Sequence, residues 1–438
     1  MKKFFIQTFG CQMNVYDSER VAVMLKKAGW EYTEDPEEAD LIIINTCSVR
    51  EKPLLKVFSC TGRFLPLRKR SGVRIFVMGC VAQQLKEQVI EKAPYVDGVF
   101  GPGSEDQIPQ AAEGDIFPYI ATASESLLRE EIFPESSRGA FFEPYSACVT
   151  IMHGCNNFCS YCIVPFVRGR EVSRTTAAVI DEVRVLVGNG VKDVTLLGQN
   201  VNSYRDPETG SDFADLLEQV SAKTGVERLR FITSHPKDFG ERLAKAFRDI
   251  PNLMPYLHLP AQSGNNRILG EMNRRYTVEN YLEKMELARK YCPDIALSSD
   301  FIVGFPGETR SEFEDTMKLV DRVCYDSIFA FNYSVRPFTK ASKMTDDVPE
   351  EEKFERLNRL LDLQRSKIKE VRGRYLGRTI GVLVESESPR GGTLMGRSEH
   401  NLVTHVINSE PGDVGKIVKV KVTEILENTL RGEKIKDQ

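Results

Sequence analysis

Residues 152–162 read Met152-His153-Gly154-Cys155-Asn156-Asn157-Phe158-Cys159-Ser160-Tyr161-Cys162, a C-x3-C-x2-C run that puts three thiols on one short loop. A cubane of four irons is normally held by four cysteines, and a structural zinc also takes four ligands. Three thiolates therefore describe a metal centre with one position open, and an open position is where a substrate can enter. Two plainer readings compete with this one. The thiols could simply pack as small hydrophobes, or a zinc site could recruit a distant fourth ligand, although zinc cysteines usually come as C-x2-C or C-x4-C doublets with a matching second pair.

The run resembles the cluster loop of the radical S-adenosylmethionine (SAM) enzymes, in which an aromatic residue precedes the third cysteine as Tyr161 does here. The resemblance implies a 4Fe-4S cluster on Cys155, Cys159 and Cys162, with SAM on the fourth iron.

Around this loop, from Cys148 to about Pro337, strand patterns alternate with amphipathic helices. Candidate strands are Val149–Met152, Val194–Leu197, Leu229–Thr233, Tyr256–Leu259, Ala296–Val303 and Ser327–Tyr333. Six parallel βα units predict a partial barrel whose loops after each strand face the active site. Those loops carry Gly198-Gln199-Asn200, Ser234-His235-Pro236, Pro260-Ala261-Gln262-Ser263-Gly264, Gly304-Phe305-Pro306-Gly307-Glu308 and Tyr333-Ser334-Val335-Arg336-Pro337. Turn chemistry accounts for part of them, but not for Gln, His and Arg recurring at one edge. Gln199, Asn200, Gln262 and Asp300 thus stand at strand ends suited to SAM or a target base, whereas His235 and His258 read as structural histidines.

The first hundred residues also read as an α/β unit, and three of its strand-like runs end in cysteine. Phe4-Phe5-Ile6 leads to Gly10-Cys11, Leu41–Thr46 to Cys47, and Val73–Gly79 to Cys80. Ligands in open α/β sheets sit outside the carboxyl ends of the strands, so these cysteines, distant in sequence, can converge as a second three-thiolate site. The alternative is three buried cysteines that merely follow strands. Cys60, Cys148, Cys292 and Cys324 have no such setting and are assigned to packing or the surface. Residues 101–147 are rich in Pro, Gly, Ser and acidic side chains, which predicts a linker. Farther on, Phe354, Leu357, Leu361, Ile368 and Val371 form a stripe along a charged helix that bridges two domains. Beyond Gly377, short strands with Gly and Pro turns outline a small β-barrel.

The chain has 438 residues, enough for two or three domains, and its ten cysteines follow no secretory signal, since the apolar run after Met1-Lys2-Lys3 breaks at Gln7 and Thr8. A reducing cytoplasm is the expected setting, and no stretch has the length of a membrane span. The net charge of −4 excludes a uniformly basic nucleic-acid coat. RNA contact would come from local patches such as Arg63, Arg68, Lys69, Arg70 and Arg74, a run that a solvated helix end also explains.

The stretch Gln7-Thr8-Phe9-Gly10-Cys11-Gln12-Met13-Asn14-Val15-Tyr16-Asp17-Ser18-Glu19 resembles the opening of the MiaB-type tRNA methylthiotransferases, and the likeness extends along the whole chain. Asn45-Thr46-Cys47-Ser48-Val49-Arg50, Met78-Gly79-Cys80, Val167–Arg174, Leu197–Asn202, Ser299–Glu308 and the TRAM-like Gly396-Arg397-Ser398-Glu399-His400-Asn401 carry it. The resemblance implies an α/β protein in three parts: an amino-terminal methylthiotransferase domain (1–118), a linker (119–146), a radical SAM partial TIM barrel (147–373) and a TRAM β-barrel (374–438). It implies an auxiliary 4Fe-4S cluster on Cys11, Cys47 and Cys80. The implied reaction places a methylthio group at C2 of N6-isopentenyladenosine at position 37, beside the anticodon. One SAM gives a methyl group and a second is cleaved to the 5'-deoxyadenosyl radical that removes the C2 hydrogen. Implied partners are the tRNA, an electron donor such as flavodoxin, and a sulfur donor. Tyr161 is expected beside SAM, and Arg168, Arg170, Arg336 and Arg397, with the Arg63–Arg70 patch, on the RNA. Gln12-Met13-Asn14 after Cys11 favours the isopentenyl type over sister enzymes that act on threonylcarbamoyl-adenosine or on a ribosomal aspartate. One departure stands out: where the family usually has Gly after Arg-Pro, this chain has Phe338, and a Phe does not replace Gly freely if the backbone needs positive φ.

Overall fold

The all-apolar run Leu41–Ile44 is fully buried, as expected of a central parallel strand covered on both faces. It lies within the first sheet of a computed structural model that describes residues 1–48, 51–122, 144–389 and 391–435. Val49, Arg50 and most of the expected linker lie outside the described residues. The sheet comprises β1 (Lys3–Phe9), β2 (Glu31–Tyr32), β3 (Leu41–Thr46), β4 (Arg74–Gly79), β5 (Gly98–Phe100) and β6 (Tyr119–Ala121), all parallel, in the order β2-β1-β3-β4-β5-β6. The strand order reverses between β1 and β3, the topological switch point where doubly wound sheets bind ligands. Strand β6 falls in the segment expected as linker; three residues at a sheet edge carry too little periodicity to be read from sequence.

The second unit is an open barrel. β7 (Ser146–Thr150) is followed by the short antiparallel pair β8 (Met152–His153) and β9 (Val172–Ser173), which brackets the cysteine loop. Then come β10 (Asp193–Leu197), β11 (Arg228–Phe231), β12 (Tyr256–His258), β13 (Ala296–Val303) and β14 (Ser327–Asn332). β7-β10-β11 and β12-β13-β14 form two parallel three-stranded sheets. A parallel bridge between Leu229 and Leu253 joins them, giving six strands in an arc. One continuous core, including Val149, Leu196, Phe231, Leu257 and Phe301, fills the space between strands and outer helices.

The third unit is a closed five-stranded barrel of β15 (Thr379–Glu387), β16 (Leu394–Ser398), β17 (Val403–Ile407), β18 (Ile417–Ile425) and β19 (Leu430–Lys434). Helix Glu350–Arg372 leads into it. The expected apolar stripe on that helix holds at Ile368 and Val371, which are buried, but needs correction at Phe354, which is 56% exposed: the buried face runs through Lys353, Arg356, Leu360 and Gln364 to Ile368 and Val371.

The units are locked together. Met13 and Tyr16 of helix Gln12–Lys27 pack on Leu197 at the end of β10, and Cys80 packs on Ile163 and Val167, which follow the cysteine loop. The carboxyl edge of the first sheet thus meets the mouth of the open barrel. Among the described residues no helix is long and apolar enough to cross a membrane.

Candidate functional site

Cys11, Cys47 and Cys80 follow the ends of three adjacent parallel strands. The pairings Phe9↔Thr46 and Thr46↔Gly79 bring their carboxyl ends level, and the Cys47 amide donates to Phe9 O at 3.0 Å. A buried polar lattice fixes the loops. Asn14 Nδ2 donates to Asn45 Oδ1 at 2.9 Å, Asn45 Nδ2 donates to Asn14 O at 2.8 Å and to Ser18 Oγ at 2.9 Å, and the Cys11 thiol donates to Asn14 Oδ1 at 3.4 Å. Gly79 has φ +93°, and a Cβ there would come within 2.4 Å of Asn45 Oδ1 and 2.7 Å of Thr46 O. Only glycine lets β4 turn into Cys80 against this lattice.

Behind the triad, Arg168 reaches in from the barrel unit. Its Nη2 is 2.7 Å from Asp17 Oδ2, with Arg168 2% and Asp17 0% exposed. A side-chain hydrogen bond with the Cys47 thiol, and then the charge of Arg168, draw the Cys11 thiol down to about 6 against its burial. Burial pushes Cys80 up, and Arg168 opposes that shift. The expected contact of Arg168 with RNA is corrected here, because its guanidinium is enclosed between the two units.

The second triad sits on the loop between β8 and β9. Gly154 has φ +68°, and a Cβ there would strike Arg170 O at 1.9 Å, so the loop can cross the 169–171 segment only at a glycine. The Cys155 amide donates to Gly169 O at 3.2 Å, and the Cys162 amide to Cys159 O at 3.0 Å, which curls the loop. The far side is tied down by the Ser160 amide donating to Met272 O at 3.0 Å and by Ser160 Oγ donating to Glu271 O at 2.7 Å. Cys162 is pushed up to about 12 by burial and by Cys159, and Cys155 is raised by burial. A cation is again at hand: Arg274, 4% exposed, donates from Nη1 to Cys159 Sγ at 3.4 Å and from Nη2 to Pro260 O at 2.9 Å. Sequence reasoning missed Arg274, as it missed Asp17, Asn14 and Asn45 as supports. The last three stood inside the motifs already quoted, and their polarity within apolar strand and helix patterns was the available signal.

Among the described residues, no three His, Cys, Asp or Glu side chains close tightly enough on one point to hold a single metal ion. The donor chemistry suits a cluster. Each group is three soft thiols with an arginine beside it, and a cubane bonds each thiolate through a different iron, which asks for a wider ring of sulfurs than one ion does. The residues present fit two such clusters, each with one iron left without a cysteine.

The barrel mouth supplies polar groups that the protein leaves unsatisfied. Asn200 Oδ1, Ser234 Oγ, His235 Nε2, Asn332 Oδ1 and Tyr333 Oη are buried without a hydrogen-bond partner among the described residues, and all lie at or just past strand ends. Buried polar atoms are nearly always paired in a working protein, so these groups at the strand ends suit a polar cofactor and a base. His235 is held at about 2 by burial and by Arg274, so it meets such a ligand as neutral imidazole. Of the residues expected here, Asn200 also donates from Nδ2 to Asp238 Oδ2 at 2.7 Å. Gln262 is buried at φ +71°, its amide donating to Asp300 O at 2.8 Å, and Asp300 Oδ1 lies 3.5 Å from His258 Nε2. Gln199, next to Asn200 in the chain, is half-buried, and Tyr161 packs with Met272, Phe305, Tyr333 and Ala341.

The remaining arginines divide. Arg170 is exposed and lies over the Phe158 ring at 5.4 Å. Arg63 donates to Gln7 Oε1 at 2.9 Å, while Arg68 pairs with Asp97 and Arg70 with Glu37. Arg336 is 9% exposed in its turn, and Arg397 projects from β16 with its Nε 3.7 Å from Glu385.

Three parts of the sequence match known families: residues 3–101 the uncharacterized protein family UPF0004, residues 149–320 the Radical SAM superfamily, and residues 373–435 the TRAM domain. A tRNA-2-methylthio-N(6)-dimethylallyladenosine synthase of Geotalea uraniireducens is 46% identical over 99% of this chain and 98% of its own. A protein of the same name from Paracidovorax citrulli is 47% identical over 99% and 97%. The fold is shared with the radical SAM methyltransferase TsrM of Kitasatospora setae, solved with cobalamin and a [4Fe-4S] cluster, at a TM-score of 0.59 and 14% identity over 78% of this chain and 77% of that one. With a radical SAM barrel between its two flanking domains and such identity along its full length, the chain belongs to the family of tRNA-2-methylthio-N(6)-dimethylallyladenosine synthases.

Proposed function

We propose that this protein is the radical SAM methylthiotransferase that converts N6-isopentenyladenosine at position 37 of tRNA to its 2-methylthio derivative, using two 4Fe-4S clusters. Cys155, Cys159 and Cys162 hold the SAM-binding cluster, and Cys11, Cys47 and Cys80 the auxiliary one. The observation that carries this reading is the meeting of the two triads: Cys80 packs directly on Ile163 and Val167, immediately beyond Cys162. When bound, SAM on its cluster supplies a carbon radical able to take a hydrogen that no side-chain base can remove.

The chain's own residues position and seclude. Arg274 and Arg168 each set a buried positive charge beside one triad and so favour its thiolate form. Gln199, Asn200, Gln262 and Asp300 line the SAM and base side of the mouth, with Tyr161 beside them. Arg170, Arg397 and the Arg63–Arg70 patch are the RNA-facing cations of this reading, while Arg336, 9% exposed, is withdrawn from it. An electron donor such as flavodoxin and a sulfur donor complete the cycle, in the cytoplasm.

Mass spectrometry of tRNA nucleosides from a strain lacking the gene tests the substrate. Loss of the 2-methylthio-isopentenyl nucleoside with accumulation of its isopentenyl precursor is expected; an unchanged nucleoside profile overturns the assignment.

A further inference from the structure

Three phenylalanines beside the site are where a folded chain does not usually put them. Phe158, Phe166 and Phe338 are 39%, 47% and 64% exposed, three of the twelve large apolar side chains left open to water among the described residues. Two of them are also held in an unusual backbone state, with φ of +48° at Phe158 and +68° at Phe338. Arg336-Pro337-Phe338-Thr339 is closed by the Thr339 amide donating to Arg336 O at 3.4 Å, with proline second and positive φ third. That pattern belongs to a type II turn, whose third position ordinarily takes glycine. A large apolar ring presented largely to solvent from a glycine position gains little burial in return for its strain, and backbone strain of this kind gathers at ligand-binding sites.

Two of the rings, those of Phe166 and Phe338, form a pair next to both triads. Phe166 and Phe338 have centroids 6.2 Å apart. The helix that carries Phe166, Val164–Val167, buries its other face against Cys80. The Phe338 turn is joined to the cysteine loop by the Ala341 amide donating to Ser160 O at 2.7 Å. Phe158 lies inside that loop, with the exposed Arg170 cation over its ring.

Resting on the tRNA reading above, we infer that the Phe166–Phe338 pair, with Phe158 and Arg170 on the adjoining cysteine loop, forms a stacking platform for the unpaired nucleotides that flank the target adenosine. Aromatic faces hold single-stranded bases without reading their sequence, and an adjacent arginine adds attraction to base and phosphate. A target base can leave its stack cheaply only if its neighbours are held elsewhere, and this surface provides that hold at the rim of the site.

The test uses the full-length enzyme carrying its clusters and an anticodon stem-loop RNA with N6-isopentenyladenosine. Phe166→Ala and Phe338→Gly are each expected to weaken RNA binding, read by fluorescence anisotropy, by roughly 5- to 100-fold, and to raise KM more than they lower kcat. Phe338→Trp should bind as well as the parent. The melting temperature of Phe338→Gly should not fall, because glycine fits positive φ; weaker binding in an undiminished fold is the signature that a structural role lacks. Unchanged affinity and KM in the double variant would overturn the platform while leaving the methylthiotransferase assignment intact. A defect seen only when a protein reductant replaces dithionite, at unchanged RNA affinity, would also overturn it and assign the patch to the electron donor. Failure of the parent enzyme to bind or modify the RNA would overturn the functional reading and the platform together.

Discussion

Asp206 shows at the scale of one residue how the barrel loops are built. Its Oδ2 accepts from the Thr176 amide at 2.6 Å and its Oδ1 from the Glu208 and Thr209 amides at 2.8 and 2.9 Å. Burial works against its charge, but a hydrogen bond from the Thr176 side chain together with these amide bonds prevails and holds the carboxyl at about 2. An unfolded aspartate titrates near ~3.9. Because the folded value is the lower one, the stabilisation is complete above about pH 4 and is lost as the pH falls from there through about 2. We expect Asp206→Asn to cost about 2 kcal/mol at neutral pH, with the gap to the parent closing in acid; urea unfolding at several pH values would show it, and a gap independent of pH would refute it. The six cysteines and Phe338 were legible in the sequence because their signals are local, a spacing, a strand end or a missing glycine. Arg168 was not. Its partner Asp17 lies 151 positions earlier, and no local pattern distinguishes an arginine facing RNA from one buried in an ion pair.

Elements were legible where a periodic pattern was long. Leu41–Thr46 and Ala296–Val303 are strands over the very residues their apolar runs predicted, whereas β5 and β6, with three residues each, offered nothing to count. Helix Glu350–Arg372 keeps the expected stripe at Ile368 and Val371 but departs from it in its first turns, where the charged Lys353 and Arg356 are buried instead of Phe354. Lys353 Nζ is 2.8 Å from Asp346 Oδ2 and 2.7 Å from Glu350 Oε1, and Arg356 Nη1 is 2.7 Å from Glu308 Oε2. Paired charges can be buried where apolar residues would be expected, so Phe354 is left outside. Leu360→Ala should therefore cost about 2 to 5 kcal/mol, while Phe354→Ala should stay within ~0.5 kcal/mol. Chemical denaturation of the two variants decides, and equal losses would restore the original face.

At the scale of the whole molecule, three units act as one because arginines fasten them. Arg230 bonds Asp193 through Nε, at 3.0 and 2.9 Å, and its Nη1 and Nη2 donate to Glu399 O and Ser398 O, both at 2.9 Å. Arg228 Nη1 donates to Arg397 O at 2.8 Å, and His400 Nε2 lies 3.0 Å from Asp294. The segment 397–400, legible as a TRAM signature, is thus spent partly on docking the small barrel to the radical SAM unit, a use that sequence could not show. Arg230→Met should cost about 3 to 5 kcal/mol and make the carboxyl-terminal barrel separately cleavable in limited proteolysis; an unchanged digestion pattern would contradict this docking role. The central claim, that the two triads hold two clusters with different tasks, is tested most directly by assaying SAM cleavage and methylthio product side by side in Cys47→Ala and Cys155→Ala enzymes. The account predicts that Cys155→Ala abolishes both, whereas Cys47→Ala still forms 5'-deoxyadenosine but no methylthio product. Methylthiolation retained without Cys47 would contradict it.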